Sequence, residues 1–295
     1  MEGLKRFAPA KVNLFLHVGA PASDGYHPVS SLMVFADVGD VVRLEAGGAM
    51  DFAVEGPFAD ALGLDGDNLV VRARDLLLRA AAAPPFRLTL DKRLPIAAGL
   101  GGGSADAAAT LVLVRRRLGQ AGLPTPDDET LMGFARSLGA DVAACLGSVP
   151  VIATGRGDIL RPAPGLPGLD AVLVNPLAPS PTGAVYRAYD AAGAPGGDAA
   201  PGLPARFATA EDLGAFLART RNDLEAPAVA LQPLIGEVLA VLARAPETRL
   251  ARMSGSGATC FALCADAVDA WRLATRVERA HPGWWVRPCR LGGDP

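Results

Sequence analysis

Lysine is nearly missing from this sequence. Of its 28 basic residues only Lys5, Lys11 and Lys92 are lysines, and there are three histidines, three tyrosines and four asparagines. The four cysteines (Cys145, Cys260, Cys264 and Cys289) form neither a CxxC pair nor a His/Cys cluster with zinc-ligand spacing. That argues against a disulfide scaffold and leaves reduced structural thiols as the expectation. No stretch reaches the roughly 20 uninterrupted apolar residues of a membrane helix, and residues Met1 to Ala10 lack the apolar core and cleavage site of a signal peptide. A cytosolic protein is expected. Charge of one sign is also lacking, since 28 basic and 31 acidic residues leave a formal net charge of -3. Neither nucleic acid nor an anionic membrane is expected as a partner, and a small molecule is.

What is abundant is apolar surface. Half of the 295 residues are hydrophobic and mean hydropathy is +0.26, enough for one large domain or two ordinary ones with their own cores. Glycine (34) and proline (25) are plentiful too. Against an arginine-rich background, a lysine inside an apolar segment marks a place where a compact ammonium serves and a planar guanidinium does not.

Apolar runs at Val12 to Val18, Leu32 to Phe35, Val41 to Leu44 and Phe86 to Leu90 predict strands, separated by turn chemistry such as Asp24-Gly25 and Ala46-Gly47-Gly48. From Asp67 the period becomes helical, with Asp67 or Asn68 as cap and Leu69, Val70, Ala73, Leu77 and Ala80 on one face. Further helices are expected over Ser104 to Leu118 and from an N-cap at Thr125, with Pro126 first and Asp128 three residues after the cap, to a stop at Gly139. The Pro/Gly cluster from Arg161 to Gly168 marks a domain boundary, dividing the chain into 1–160 and 161–295, and Ala191 to Pro204 reads as a mobile loop. Beyond the boundary come a strand at Ala171 to Val174, helices, a strand-turn-strand around Gly255, a helix from Ala267 to Ala280 and a strand from Trp285 to Leu291. That order predicts an α+β sandwich of ferredoxin-like type.

The most informative segment is Leu94-Pro95-Ile96-Ala97-Ala98-Gly99-Leu100-Gly101-Gly102-Gly103-Ser104-Ala105-Asp106, a glycine-rich turn opening into a helix. Residues without Cβ let a ligand approach the backbone, and the amides at a helix start favour an anion such as a phosphate. The spacing is not that of a Walker loop, which needs Gly-Lys-Ser/Thr, nor of a dinucleotide fingerprint, whose third glycine falls at Ser104. Lys11 and Asn13, two apart in a strand, project to one face, either lining a site or forming a solvated edge. Asp141 reads locally as the N-cap of a short helix; as a general base it would also need a cation to hold it ionised. Tyr26-His27 places an aromatic ring and an imidazole on a loop, either stacking a base or covering a sheet edge, and Met253-Ser254-Gly255-Ser256-Gly257-Ala258 forms a second glycine turn.

Together Ala8-Pro9-Ala10-Lys11-Val12-Asn13-Leu14, Asp24-Gly25-Tyr26-His27, Gly66-Asp67-Asn68-Leu69, Pro95 to Ala105, Gly139-Ala140-Asp141-Val142, Asn222-Asp223-Leu224-Glu225 and Ser254-Gly255-Ser256-Gly257 resemble the GHMP kinase superfamily, in that order along most of the chain. The likeness is strongest to its branch acting on a cytidine-diphosphate-linked methylerythritol in isoprenoid precursor synthesis. The resemblance implies an α+β, two-domain GHMP kinase fold, with a ribosomal protein S5 domain 2-like N-terminal domain and a ferredoxin-like C-terminal domain. It implies ATP, accompanied by Mg2+, as phosphoryl donor and the sugar alcohol's 2-hydroxyl as acceptor. By motif, Asp141 would be the catalytic base and Lys11 its charged neighbour. Pro95 to Ala105 would wrap the ATP phosphates, with Asn68 and Lys92 nearer the nucleoside. Tyr26 and Tyr186 would sandwich cytosine, His27 would read its edge and Asn13 would hold the substrate. No residue stands out as a metal ligand, and monomer and homodimer both remain open. A homoserine- or mevalonate-type GHMP kinase, a nicotinamide-dependent oxidoreductase and a non-catalytic sensor are the competing readings.

Overall fold

The computed structural model describes residues 3–62, 68–79, 83–193, 197, 199 and 202–292. The alternative cap Asp67, the helical position Ala80 and part of the 191–204 loop lie outside them. The chain divides into two compact units. The first comprises the residues up to Ala10 with Gly39–Ile96 and Gly101–Ser148; the second comprises Lys11–Val38, Ala97–Leu100 and the residues from Val149 onward. These units depart from a single cut at residue 160. The reason is that two long strands, β1 (Leu4–Val18) and β2 (Val29–Ala46), each supply both units. The strands expected at Leu32 to Phe35 and Val41 to Leu44 are thus one strand. Its Asp37-Val38-Gly39-Asp40 stretch continues the strand, with Gly39 passing the backbone of Ala8 so closely that a Cβ would stand 2.2 Å from the Ala8 carbonyl oxygen.

In the first unit β2 pairs antiparallel with β4 (Phe86–Asp91), from Val41 opposite Asp91 to Ala46 opposite Phe86, and β4 pairs parallel with β3 (Asp51–Glu55). Helix α1 (Leu69–Leu78) is capped by Asn68, whose Oδ1 accepts from the Val70 amide at 2.9 Å, and it buries Val70, Ala73 and Leu77, the face expected from a 3.6 period. Helix α2 (Gly102–Gln120) packs against α1, α3 (Asp128–Leu138) and α4 (Ala140–Gly147). It begins two residues earlier than Ser104, since Gly101 adopts the left-handed conformation (φ 61°) and turns the chain at once into the helix. The cap of α3 is Asp127 rather than Thr125: its carboxylate accepts from the Thr130 amide at 2.8 Å, and a carboxylate complements the helix dipole better than a hydroxyl. Asp141 likewise lies in the first turn of α4, and the cap is Gly139, which also ends α3.

In the second unit β5 (Val151–Gly155) and β6 (Ile159–Pro162) form a hairpin, with β5 pairing β2 from Val29 opposite Gly155 to Met33 opposite Val151. Then follow β7 (Leu169–Asn175), α5 (Thr182–Ala191), α6 (Ala210–Leu217), α7 (Glu225–Leu231), α8 (Pro233–Arg244), β8 (Thr248–Met253), β9 (Cys260–Cys264), α9 (Ala267–Ala280) and β10 (Trp285–Leu291). The sheet order is β10-β7-β9-β8, every pair antiparallel. That is the β-α-β-β-α-β arrangement of a ferredoxin-like domain, as the element order predicted. Helix α9 buries Ala270, Leu273, Ala274 and Val277 against this sheet, and α8 buries Ile235, Val238 and Leu242.

All four cysteines are buried and unbridged, and among the described residues no helix is long and apolar enough to cross a membrane. The bounds of α9 match the expected Ala267 to Ala280 because its start is chemically marked: Asp266 accepts from the Asp269 amide at 2.9 Å. Replacing that acceptor with a methyl group leaves an exposed helix end unsatisfied. Asp266→Ala is expected to destabilise the protein by about 1 kcal/mol, read as a lower denaturation midpoint with unchanged slope.

Candidate active site

Residues singled out by the motifs cluster within each unit, and each cluster is a local hydrogen-bond system. In the second unit Lys11 and Asn13 lie on one face of β1, as their spacing of two requires, but that face is no solvated edge: both side chains are buried. The Lys11 ammonium donates to Asn13 Oδ1 at 2.8 Å, and Asn13 Nδ2 donates to Ser31 Oγ at 2.7 Å, which donates on to the Phe15 carbonyl. The chain runs in one direction from ammonium to backbone carbonyl, which orients the lysine through Asn13.

The same strand is tied to both glycine turns. Ser254 Oγ accepts from the Asn13 amide at 3.1 Å and donates to the Gly99 carbonyl at 3.0 Å, the Leu100 carbonyl accepts from the Lys11 amide, and the Ala98 carbonyl accepts from the Thr259 amide. Gly99 (φ 73°) must be glycine, since a Cβ would stand 2.3 Å from the Ser254 carbonyl oxygen. The Ser254-Gly255 turn is held from behind by Asn222, whose Nδ2 donates to the carbonyls of Met253 and Gly255 at 2.8 Å each, and by Glu225, which accepts from the Met253 amide. Burial raises the Glu225 carboxyl above its ordinary value, against that hydrogen bond and the charge of Arg252. Arg252 is itself buried and donates to the carbonyls of Leu14, Leu217 and Thr220.

A third group in this unit contains the aromatic residues. His27 is held through Nδ1 against the Gly19 carbonyl at 2.9 Å, so that nitrogen carries the proton, and its Nε2 lies 3.3 Å from Asp190 Oδ1. Its ring sits 5.1 Å from that of Tyr186 on α5. The start of α5 is fixed to the second glycine turn, with Ser180 Oγ donating to the Ser256 carbonyl and Thr182 Oγ1 2.9 Å from Ser256 Oγ. Tyr26 is 57% exposed. Half-open aromatic rings beside a fixed imidazole suit the binding of a flat heterocycle.

The first unit holds the helical part of the glycine loop. Gly101 has no side chain to cap α2, so the first amides of this helix are available to an anion. Directly behind them lies Lys92, whose ammonium would stand 3.1 Å from a Cβ on Gly102. It is 3% exposed and bridges Asp40 Oδ2 at 2.6 Å and Asp106 Oδ2 at 2.7 Å. Asp40 also accepts from the amides of Arg93 and Leu94, fixing the approach to Pro95. Burial pushes the Asp106 carboxyl up to about 8, with Asp40 adding repulsion and Lys92 opposing it. For Lys92 burial acts downward, but the two carboxylates outweigh it and its value is raised. Asn68 spends its side-chain oxygen on the α1 cap. Asp141 projects from the first turn of α4, partly buried.

Ser31, Arg252 and Arg156, discussed below, carry no signal in the sequence, because their partners are distant along the chain. Among the described residues no group of three or more His, Cys, Asp or Glu side chains is arranged to hold a metal ion.

The Lys92 cluster generates a pH effect. An acid whose value rises from 3.8 to about 8 on folding takes up a proton when the chain folds between those limits, so its contribution to stability falls as pH rises through that window. Asn cannot ionise. The melting temperature of Asp106→Asn relative to the parent is therefore expected to climb steadily between about pH 5 and pH 8, and a pH-independent difference would remove ionisation of Asp106 from the explanation.

Comparison with known proteins places the chain in context. Residues 68–148 match the GHMP kinases N terminal domain and residues 205–283 the GHMP kinases C terminal domain. A protein of Caulobacter sp. (strain K31) named 4-diphosphocytidyl-2-C-methyl-D-erythritol kinase is 60% identical over 294 residues, covering 98% of this chain and 99% of that protein. One of the same name from Paramagnetospirillum magneticum (strain ATCC 700264 / AMB-1) is 45% identical over 285 residues, 96% of this chain and 97% of that protein. A crystal structure of 4-(cytidine 5'-diphospho)-2C-methyl-D-erythritol kinase superposes with a TM-score of 0.78 at 36% identity, covering 99% of this chain and 100% of that one. A homoserine kinase from Cytophaga hutchinsonii superposes with a TM-score of 0.68 at 18% identity, a likeness of fold.

Proposed function

We propose, from the premise that this chain belongs to the GHMP kinase family and within it to the 4-diphosphocytidyl-2-C-methyl-D-erythritol kinases, that it transfers the γ-phosphoryl group of ATP to the 2-hydroxyl of 4-diphosphocytidyl-2-C-methyl-D-erythritol, giving the 2-phosphate and ADP in isoprenoid precursor synthesis. The observation that carries the reading is the 60% identity, which runs over 98% of this chain and takes in every motif described above. Homoserine and mevalonate kinases share the fold at 18% identity or less and have no comparable support as assignments.

In this reading Asp141 accepts the proton of the 2-hydroxyl as that oxygen attacks the γ-phosphorus and the bond to the β–γ bridging oxygen breaks. Lys11, oriented by Asn13, supplies a compact positive charge to the phosphoryl oxygens in flight. Transfer of a phosphoryl group demands alignment and charge stabilisation more than covalent help, and these two side chains provide for the acceptor and the moving group. The amides from Pro95 to Ala105 cradle the phosphates of ATP. Asn68 and Lys92 belong to the nucleoside end, Lys92 acting through the backbone it supports because its ammonium is already committed to Asp40 and Asp106. Tyr26 and Tyr186 stack cytosine, His27 reads its edge and Asn13 helps to seat the substrate. Mg2+ enters as the ATP complex. Mg2+ bound to the ATP phosphates would neutralise part of their charge, and no residue of this chain is assigned to hold it. The enzyme is expected in the cytoplasm, as monomer or homodimer, without nucleic acid or membrane.

Asp141→Asn keeps shape and removes the base. It is expected to lower kcat by about 10²–10⁴-fold while the Kd for ATP, measured by calorimetry, stays where it was; full turnover would remove Asp141 from the proton transfer. Lys11→Arg preserves charge but replaces a point charge by a fork that cannot take the Asn13 bond in the same geometry. A coupled ADP-release assay should show a fall in kcat of at least about tenfold, and parental rates would reduce Lys11 to a structural residue.

A further inference from the structure

One contact of the aromatic group is made by a residue that no motif contains. Arg156 stands at the tip of the β5–β6 hairpin, between Gly155 (φ 67°) and Gly157 (φ 88°), its amide bonded to Asp158 Oδ1 at 2.9 Å. Because Gly155 is registered opposite Val29, the tip lies beside the loop that ends at His27. The Arg156 guanidinium sits over the Tyr26 ring, 4.2 Å from its centroid, and pairs with Asp24. Asp24 in turn accepts from the Tyr26 amide at 3.0 Å through its other oxygen. One carboxylate thus fixes the backbone of Tyr26 and the cation that covers one face of its ring. The Asp24 carboxyl lies below its ordinary value, first through the Tyr26 amide and then through Arg156. The loop itself is closed by the Ala22 amide on the Tyr26 carbonyl and by Gly25, whose φ of 80° suits glycine.

We infer that Arg156 is a positioning residue for the base site: it backs Tyr26 from one side, so that the ring is presented edge and face to a cytosine stacking on the other. The inference rests on the base-stacking role given to Tyr26 above. Without Arg156, an aromatic side chain that is 57% exposed has only its own torsions to hold it, and the ordering entropy would be charged to ligand binding. The cation also polarises the ring, because a guanidinium on one face draws electron density from the π-system presented on the other. The planar fork is suited to this double task, bonding a carboxylate at its edge while lying flat on a ring, which an ammonium cannot do at once.

The experiment is a double-mutant cycle on the full-length protein, with cytidine 5'-diphosphate as the calorimetric probe. Arg156→Leu is expected to weaken its binding about two- to fivefold, the size of an exposed cation–π contact, and Arg156→Lys to recover part of the loss. In a Tyr26→Leu background Arg156→Leu should have no further effect. In steady state Arg156→Leu should raise KM for the cytidylated substrate and leave KM for ATP in place, a split that general destabilisation would not give. An equal loss in both backgrounds would show Arg156 touching the diphosphate directly and overturn the inference, as would unaltered binding in Arg156→Leu when Tyr26→Leu is impaired. Parental binding by Tyr26→Leu itself would overturn the base-site reading, and the inference with it.

Discussion

A backbone approach too close for any side chain organises the second unit. The Gly99 carbonyl meets Ser254 Oγ while the Gly99 Cα lies against the Ser254 carbonyl, where a Cβ would have 2.3 Å of room. Ser254 is thereby fixed, and through it the Asn13 amide, the strand that carries Lys11 and the chain Lys11–Asn13–Ser31. Here both partners are turns, so one segment supplies a glycine and the other a Ser-Gly pair. Asn222 donates to the Met253 and Gly255 carbonyls and Glu225 accepts from the Met253 amide, while the Ser254 amide donates to the Thr259 carbonyl and the Ser254 carbonyl accepts from the Gly257 amide, so buried polar groups satisfy each other rather than water.

The electrostatics of the protein are local. A chain of net charge -3 that handles polyanions cannot rely on its overall field, so positive potential has to come from amides at a helix start and from a few committed cations. Lys92 illustrates the commitment: a buried ammonium between Asp40 and Asp106 carries little outward charge, but it ties β2, the residues leading to Pro95 and the first turns of α2 into one piece. Removing water from three ionisable groups is costly, and raising the Asp106 carboxyl toward about 8 is the form that cost takes.

Exposed contacts do different work. The Asp24–Arg156 pair and the Tyr26 ring it covers contribute little to folding, since solvent screens such pairs, yet they hold the Tyr26 loop in one conformation. The neighbouring His27 is held more firmly, between the Gly19 carbonyl, Asp190 and the rings of Tyr186 and Tyr189. Under the proposed base-binding role, a flat base would meet one rigid and one adjustable side.

Local chemistry was legible wherever a residue's partner is a few positions away. Asn68 and Gly139 mark helix ends, the bounds Ala267 to Ala280 mark α9, and the spacing of Lys11 and Asn13 put them on one face. Competition between nearby signals was harder to read: Asp127 displaced Thr125 as a cap, and the runs Leu32 to Phe35 and Val41 to Leu44, read as two strands, belong to one. What only the tertiary structure decided is pairing across the chain. Nothing near Lys92 in sequence announces Asp40, nothing near Asn13 announces Ser31 or Ser254, and Arg156 reaches Tyr26 only because β5 is registered on β2. The amino-acid sequence by itself determined most of the helices, the ferredoxin-like element order, the glycine turns and the family. The fold decided which buried charges neutralise one another, because hydrogen bonds and ion pairs act over a few ångströms of space, whatever the separation along the chain.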